Sequence, residues 1–303
     1  MQYLAAGGRS DRLSAVETRP DLEILNAIVD GQANAIAVVR HAMPALAEAS
    51  VILTETWRLG GRIAYAGAGS SGLMALVDAL ELPGTYGMEK NRIPILLAGG
   101  RPSLEDVAGT YEDDREAGVT QVEMYRIGKG DVVIAISASG NTPFTLTVAN
   151  AAKARGARLV AIASDIQSPL LSIADVAIAL PTGPEIVSGS TRMNAGTAQK
   201  CALNMLSTLT AMRLNHVYDG MMVNLRPDNA KLQERLARIV AQAASVDIAA
   251  ARRAVDLAQG SGKIAILLAA GASIDTACQL LALSDGDVGV ALDAFRQAGM
   301  LEK

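Results

Sequence analysis

Cysteine, histidine and aromatic residues are scarce in this sequence of 303 residues. The cysteines are Cys201 and Cys278, and the histidines are His41 and His216. Two cysteines cannot staple a disulfide framework. Two histidines far apart in the chain, and far from either cysteine, give no metal-ligand spacing. Both cysteines therefore read as small buried hydrophobes. Only 3% of residues are aromatic, and the net charge is −4. Few rings are available to stack bases, and no cationic excess meets a phosphate backbone, which argues against nucleic-acid binding. No apolar run approaches the roughly 20 residues of a membrane span. The longest candidate, Ile264 to Ala272, is about half that length and contains Gly271. The opening segment, MQYLAAGGRSDRLSAVETRP, carries Arg and Asp early and lacks the apolar stretch of a signal peptide. These absences predict a soluble, cytoplasmic protein with no membrane partner.

What is present is aliphatic. Half of the residues are hydrophobic, mostly Ala, Leu, Ile, Val and Met, enough apolar surface to offset chain entropy. From Leu22 to Trp57 apolar residues recur at three and four spacing, which predicts helix. Pro44 opens a new helix or kinks this one, and Gly60-Gly61 ends it. Five short apolar runs then follow: 62–66, 93–97, 131–136, 159–163 and 176–180. Helical segments alternate with them, and Gly156 sits where a helix C′ glycine belongs. Short buried strands alternating with helices predict a parallel sheet in an α/β layer fold. A long helix follows, with Ser190 and Thr191 as N-cap candidates, and runs to about Leu214. Another spans Lys231 to Ala243. From Val246 onward the pieces are short and have little to bury. Lys263 to Leu268 passes for a strand on composition alone. The expected division is a large α/β domain over 1–245, N-terminal helices included, and a small helical domain over 246–303.

Two of the strand-to-helix turns are rich in hydroxyls. Gly67-Ala68-Gly69-Ser70-Ser71-Gly72 satisfies the dinucleotide fingerprint literally. The next strand, however, ends Leu96-Leu97-Ala98-Gly99-Gly100, without the acid that would hold a ribose. The second turn carries Ser137, Ser139, Asn141 and Thr142. Together the two turns offer backbone N–H groups, helix dipoles and hydroxyls to one anion. That suits the phosphate monoester of a small molecule better than a pyrophosphate, and no Walker lysine is present for a nucleotide. Glu81 and Glu112 lie near the carboxyl edge of the expected sheet, where ligands bind in open α/β folds. Such a pair can serve as general acid and general base.

These motifs are similar to those of a known family. Gly67 to Gly72, Asp78-Ala79-Leu80-Glu81, Ala138-Ser139-Gly140-Asn141-Thr142-Pro143 and Gly183-Pro184-Glu185 resemble a sugar isomerase (SIS) domain. More narrowly, Gly189-Ser190-Thr191-Arg192-Met193, Ala195 to Lys200, Leu203 to Thr208 and Asn229-x-Lys231-Leu232 resemble the N-acetylmuramic acid 6-phosphate etherases. Leu73 and Asn194 stand where that family carries cations.

The resemblance implies a three-layer SIS-type parallel sheet flanked by helices, with a small helical C-terminal domain, and a homodimer. It implies cleavage of the lactyl ether at C3 of N-acetylmuramic acid 6-phosphate, without metal or organic cofactor, in peptidoglycan recycling. In the open-chain sugar the C1 aldehyde acidifies C2–H. A base removes that proton, an acid protonates the departing lactyl oxygen, and water adds back at C3. The resemblance assigns the acid to Glu81 and the second acid/base to Glu112. It assigns the sugar phosphate to Ser70, Ser71, Ser137, Ser139, Asn141, Thr142, Glu185, Ser190 and Lys231. Two readings stay open beside it: another phosphosugar isomerase or lyase of the same fold, and a non-catalytic sugar-phosphate-binding regulator.

Overall fold

A computed structural model describes residues 16–105 and 109–301. The expected absence of a signal peptide falls mostly on residues 1–15, outside the described residues. Helices α1 (Asp21–Val39) and α2 (Met43–Arg58) open the chain, joined by a 3-10 turn. Pro44 lies in the first turn of α2, where its missing N–H costs nothing. Then β1 (Ile63–Gly67), α3 (Gly69–Tyr86), β2 (Ile95–Leu97), α4 (Arg115–Met124) and β3 (Val132–Ile136) follow. The sheet is completed through α5 (Pro143–Ala154), β4 (Arg158–Ala163), α6 (Pro169–Ser172) and β5 (Val176–Ala179). Next come α7 (Asn194–Arg213), α8 (Ala230–Ala244), α9 (Ile248–Leu257), α10 (Gly262–Ala269), α11 (Ile274–Leu283) and α12 (Val288–Leu301).

All five expected strands exist, and every pairing is parallel in the order β2-β1-β3-β4-β5. Residues of β1 and β3 are buried throughout, as a sheet covered on both faces requires. Arg62 and Asp131 join the amino ends of these two strands. The guanidinium forks onto the carboxylate (Nε–Oδ1 3.1 Å, Nη2–Oδ2 2.6 Å), and the Arg62 N–H donates to Oδ1 at 3.0 Å.

By internal contacts the chain forms two compact units: Met1–Ala79 with Asn91–Ser207, and Leu80–Lys90 with Thr208–Lys303. The second therefore starts inside α7 and takes up part of α3, rather than beginning at residue 246. The reason is packing: α8, with Leu236, Ile239 and Val240 at helical spacing, buries its apolar face in the same core as α9 and α10. That core also holds Ile266, Leu267, Val288 and Leu292, so the last fifty residues do bury a core of their own. Lys263 to Leu268, ambiguous by composition, is helix α10.

Two further expectations change, and one helix runs through a proline: α3 continues past Pro83 to Tyr86. Its end is held in the second unit by the Arg226 N–H on Gly84 O at 3.2 Å and Asn224 Nδ2 on Tyr86 O at 2.7 Å. Cys278 is exposed and Cys201 half-buried, because both lie on helix faces that are not the apolar stripe. Finally, the helical run Asp21–Arg58 spans 38 residues and contains an 18-residue window apolar enough to cross a membrane. Single polar residues (Asp30, Gln32, Asn34) break the run in sequence. One third of that window is buried, with α2 packed on β1, β3 and β5 in the manner of a core helix.

The second unit holds a buried titrating pair. Burial, and then the Lys263 ammonium, lower the His216 pKa to about 4, and His216 Nδ1 has no hydrogen-bond partner. Burial also lowers Lys263 to about 8, although Asp287 and Asp285 oppose it. The folded state thus binds fewer protons than the unfolded chain between pH 6.5 and 4, so stability is present above pH 6.5 and lost as pH falls to 4. A depression of this size corresponds to roughly 3 kcal/mol. Replacing the imidazole by a ring that cannot charge, His216→Phe, is expected to flatten that decline. Urea unfolding of both proteins at pH 7 and pH 4.5 measures it.

Candidate active site

The strand order reverses between β1 and β3, because β2 lies outside β1 while β4 and β5 lie beyond β3. In open α/β sheets the crevice at this switch point, at the carboxyl ends of the strands, is where ligands bind. Gly67 pairs in register with Ile136, so the turns that follow leave the sheet side by side. These are the two hydroxyl-rich turns.

The first is built on close approach. A Cβ on Gly67 would lie 2.9 Å from Gly72 Cα, and one on Gly72 would lie 2.5 Å from Leu97 Cδ1 and 3.0 Å from the Gly67 carbonyl. Gly69 opens α3 at φ +51°, a left-handed conformation that favours glycine. Ser70 is half-buried and Ser71 buried in the first turn of that helix, where N–H groups lack acceptors one turn back. The helix is tied down by Asp78, which is buried and accepts from Tyr65 Oη at 2.7 Å and Ser207 Oγ at 3.0 Å. Burial and the Asp78 charge push the Tyr65 phenol well above its usual pKa, so it remains a donor.

The second turn is a hydroxyl cluster. Ser137 Oγ lies 2.9 Å from Thr142 Oγ1 and 3.5 Å from Ser139 Oγ, and it accepts the Gly140 N–H at 3.0 Å. Asn141 folds back, its N–H on Ser139 Oγ at 3.2 Å and its Nδ2 on Ser139 O at 2.9 Å. Gly140 has φ +63°, and a Cβ there would strike Ser168. Thr142 occupies the N-cap of α5 without capping it; its hydroxyl is turned toward Ser137 instead.

Glu112, in a 3-10 turn over Gly109–Asp113, lies across the first turn. Its Oε1 occupies the space that a Cβ on Gly69 would need. Gly69, Leu73, Leu97, Ala98, Ser103 and Tyr111 complete a small niche around it. Burial, and secondarily Asp113, raise the Glu112 pKa.

The other expected residues lie elsewhere. Glu185 is buried, and both its oxygens accept N–H groups at the start of α7, from Asn194 at 2.9 Å and Ala195 at 3.0 Å. A carboxylate there compensates the helix dipole. Ser190 sits half-buried in the turn before α7, its N–H on Val187 O at 2.9 Å. Asn194 is buried against Gly31 of α1. Lys231 is exposed in the first turn of α8, which Asn229 caps. Glu81 is exposed and lies ten residues beyond Ser71 in the uninterrupted α3, about 15 Å along a helix axis. So Ser70, Ser71, Ser137, Ser139, Asn141, Thr142 and Glu112 converge at the switch point, and Glu81 does not share the first turn with Glu112. Sequence reasoning does not single out Ser103, because only the fold brings it to Glu112, nor Tyr111, which adjoins Glu112 in the chain. Among the described residues no three His, Cys, Asp or Glu side chains group as metal ligands.

A parallel sheet with hydroxyl-rich turns at its switch point defines a SIS domain, and residues 31–164 match that domain family. The phosphoheptose isomerase of Francisella tularensis shares the fold: TM-score 0.50, 18% identity, 64% of this chain and all of that one. An N-acetylmuramic acid 6-phosphate etherase of Deinococcus radiodurans is 41% identical over 245 residues, covering 81% of this chain and 80% of that protein. One from Mycolicibacterium smegmatis is 36% identical, covering 97% and 99%. The chain belongs to the N-acetylmuramic acid 6-phosphate etherase family, and with it to the carbon–oxygen lyases.

The glycine packing has a measurable consequence. Gly72→Ala is expected to destabilise the protein by about 1–3 kcal/mol, the usual cost of overpacking. Gly109→Ala, with nothing among the described residues within 4 Å of the added methyl, is expected to be close to neutral. Denaturant melts of the two variants make the comparison.

Proposed function

We propose that this chain cleaves the C3 lactyl ether of N-acetylmuramic acid 6-phosphate, giving N-acetylglucosamine 6-phosphate and D-lactate, as a cytoplasmic homodimer in peptidoglycan recycling. The observation that carries this reading is Glu112 lying over Gly69, beside a turn suited to a phosphate. The 6-phosphate binds the first-turn N–H groups of α3 and α5 together with the hydroxyls of Ser70, Ser71, Ser137, Ser139 and Thr142, and Asn141 borders it. Helix dipoles and multiple donors favour a dianion there. Glu185 acts indirectly, by fixing the start of α7 and the Ser190 turn.

Ionised Glu112 takes the C2 proton of the open-chain aldehyde, and the resulting enolate expels the C3 oxygen. Glu81 donates a proton to that oxygen, so D-lactate leaves and a 2,3-unsaturated aldehyde remains. Water then adds, its hydroxyl to C3 and a proton to C2, which restores the sugar. One carboxyl must be ionised and the other protonated for the first step, so distinct environments are needed. A raised pKa brings Glu112 closer to the operating pH, where a general base is most effective. The rate falls as pH drops through that raised value, because a protonated Glu112 cannot accept the C2 proton.

A hexose anchored at Ser71 does not extend about 15 Å down α3. In the homodimer we propose, Glu81 and Lys231 are supplied to each site by the second copy. Glu81→Gln and Glu112→Gln are each expected to abolish lactate release. Unfolding and refolding the two variants together is expected to restore roughly a quarter of wild-type activity, since half of the dimers are mixed and each carries one intact site. No recovery means that both carboxylates act within one chain. Loss of lactate release with retained C2 deuterium exchange into N-acetylglucosamine 6-phosphate separates the acid from the base.

A further inference from the structure

The niche around Glu112 is small, and its walls mix aliphatic residues with the hydroxyls of Ser103 and Tyr111. It encloses about 10 Å³, room for one water molecule at most. Its walls are Gly69 and Leu73 from α3, Leu97 and Ala98 from the end of β2, Ser103, and Tyr111. Among the described lining residues Glu112 is the charged group and none is a cation. Asp113, its chain neighbour, acts on the carboxyl as well. A carboxylate that loses water contacts without an ammonium or guanidinium among its described neighbours favours its neutral form.

The walls are not equivalent. Leu97 and Ala98 are buried and serve the sheet edge, and Leu97 is the side chain that Gly72 must avoid. Gly69 can offer no side chain. Leu73 and Tyr111 are both half-buried; Leu73, one turn along α3 from Gly69, is the aliphatic side chain between the niche and solvent. We propose that Leu73 is a positioning residue for Glu112: its side chain keeps water out of the niche and so sets the protonation equilibrium of the carboxyl. Its kinetic importance rests on the assignment of Glu112 as the base, but the titration itself does not.

The test is therefore made on the intact chain without substrate. Glutamate labelled with carbon-13 at the carboxyl is followed by NMR against pH, and the Glu112 signal is identified by its loss in Glu112→Gln. In the wild type the Glu112 midpoint is expected above the ordinary carboxylate range. Leu73→Asn admits water and a polar group and is expected to lower the midpoint by about one pH unit, a tenfold change in the ionised-to-protonated ratio. Leu73→Thr, retained in case the Asn variant does not fold, is expected to move it the same way. Leu73→Met, similar in volume and still apolar, is expected to leave it in place. A wild-type midpoint in the ordinary range, or an unchanged midpoint in the folded polar variant, overturns the proposal. Both results stand whether or not the chain cleaves the muramic acid ether. If it does, the acid limb of kcat/KM shifts with the NMR midpoint, and a purely structural role of Leu73 gives no such parallel.

Discussion

The close approach of α3 to β1 is the constraint on which the site depends. Gly67 and Gly72 leave no volume between the strand end and the first helical turn, so the N-terminus of α3 stands directly over the sheet edge. Any side chain there would push the helix out and carry the Ser70 and Ser71 amides away from β3. The buried Asp78 holds the same helix further along, through Tyr65 on β1 and Ser207 on α7. At the other end of β1 the Arg62–Asp131 fork fixes the register with β3. The two turns meet at one level because both ends of this strand pair are pinned.

Pinning matters because the binding equipment is weak one group at a time. No lysine or arginine belongs to either turn. Attraction for a phosphate has to come from backbone N–H groups, hydroxyls and two helix dipoles. Such groups are effective only when they are preorganised, since a donor that must reorient loses much of its benefit in doing so. The hydrogen bonds inside the second turn, with Ser137 joined to Thr142 and to the Gly140 amide, provide that order before any ligand arrives.

Much of this is legible in the sequence, for specific reasons. Five short apolar runs announce buried parallel strands, and the Gly-Ser turns announce helix N-termini, because both signals are local. Strand order is not local. Nothing in residues 62–66 or 131–136 says that these strands are neighbours with 95–97 outside, and that adjacency unites the two turns. Glu112 was legible as one of a candidate carboxylate pair and, through family resemblance, as an acid/base group, but its surroundings were not, as its 3-10 turn has no periodicity and Gly69, Leu97 and Ser103 reach it from separate segments. Pro83 is a local signal that its surroundings override. Proline normally ends a helix, but here hydrogen bonds from Asn224 and Arg226 hold the turn beyond it. The second core was hidden as well, since its apolar residues are spread over several short helices.

The placement of Glu112 connects packing to chemistry. A carboxylate open to water at neutral pH is a weak base, because its conjugate acid is too strong to hold a proton taken from carbon. Drying the carboxyl strengthens it, at the expense of stability. The protein draws that dry environment from the constraint that forms the phosphate turn. Because Gly69 has no side chain, the carboxylate can lie against the start of α3, and because Gly72 admits Leu97 so closely, the niche beside it has almost no free volume. The glycines that let a helix N-terminus approach the phosphate therefore also shape the pocket that tunes the base. A substitution at Gly69 or Gly72 would act on binding and on proton transfer together, whereas one at Leu73 reaches the proton transfer with the turn intact.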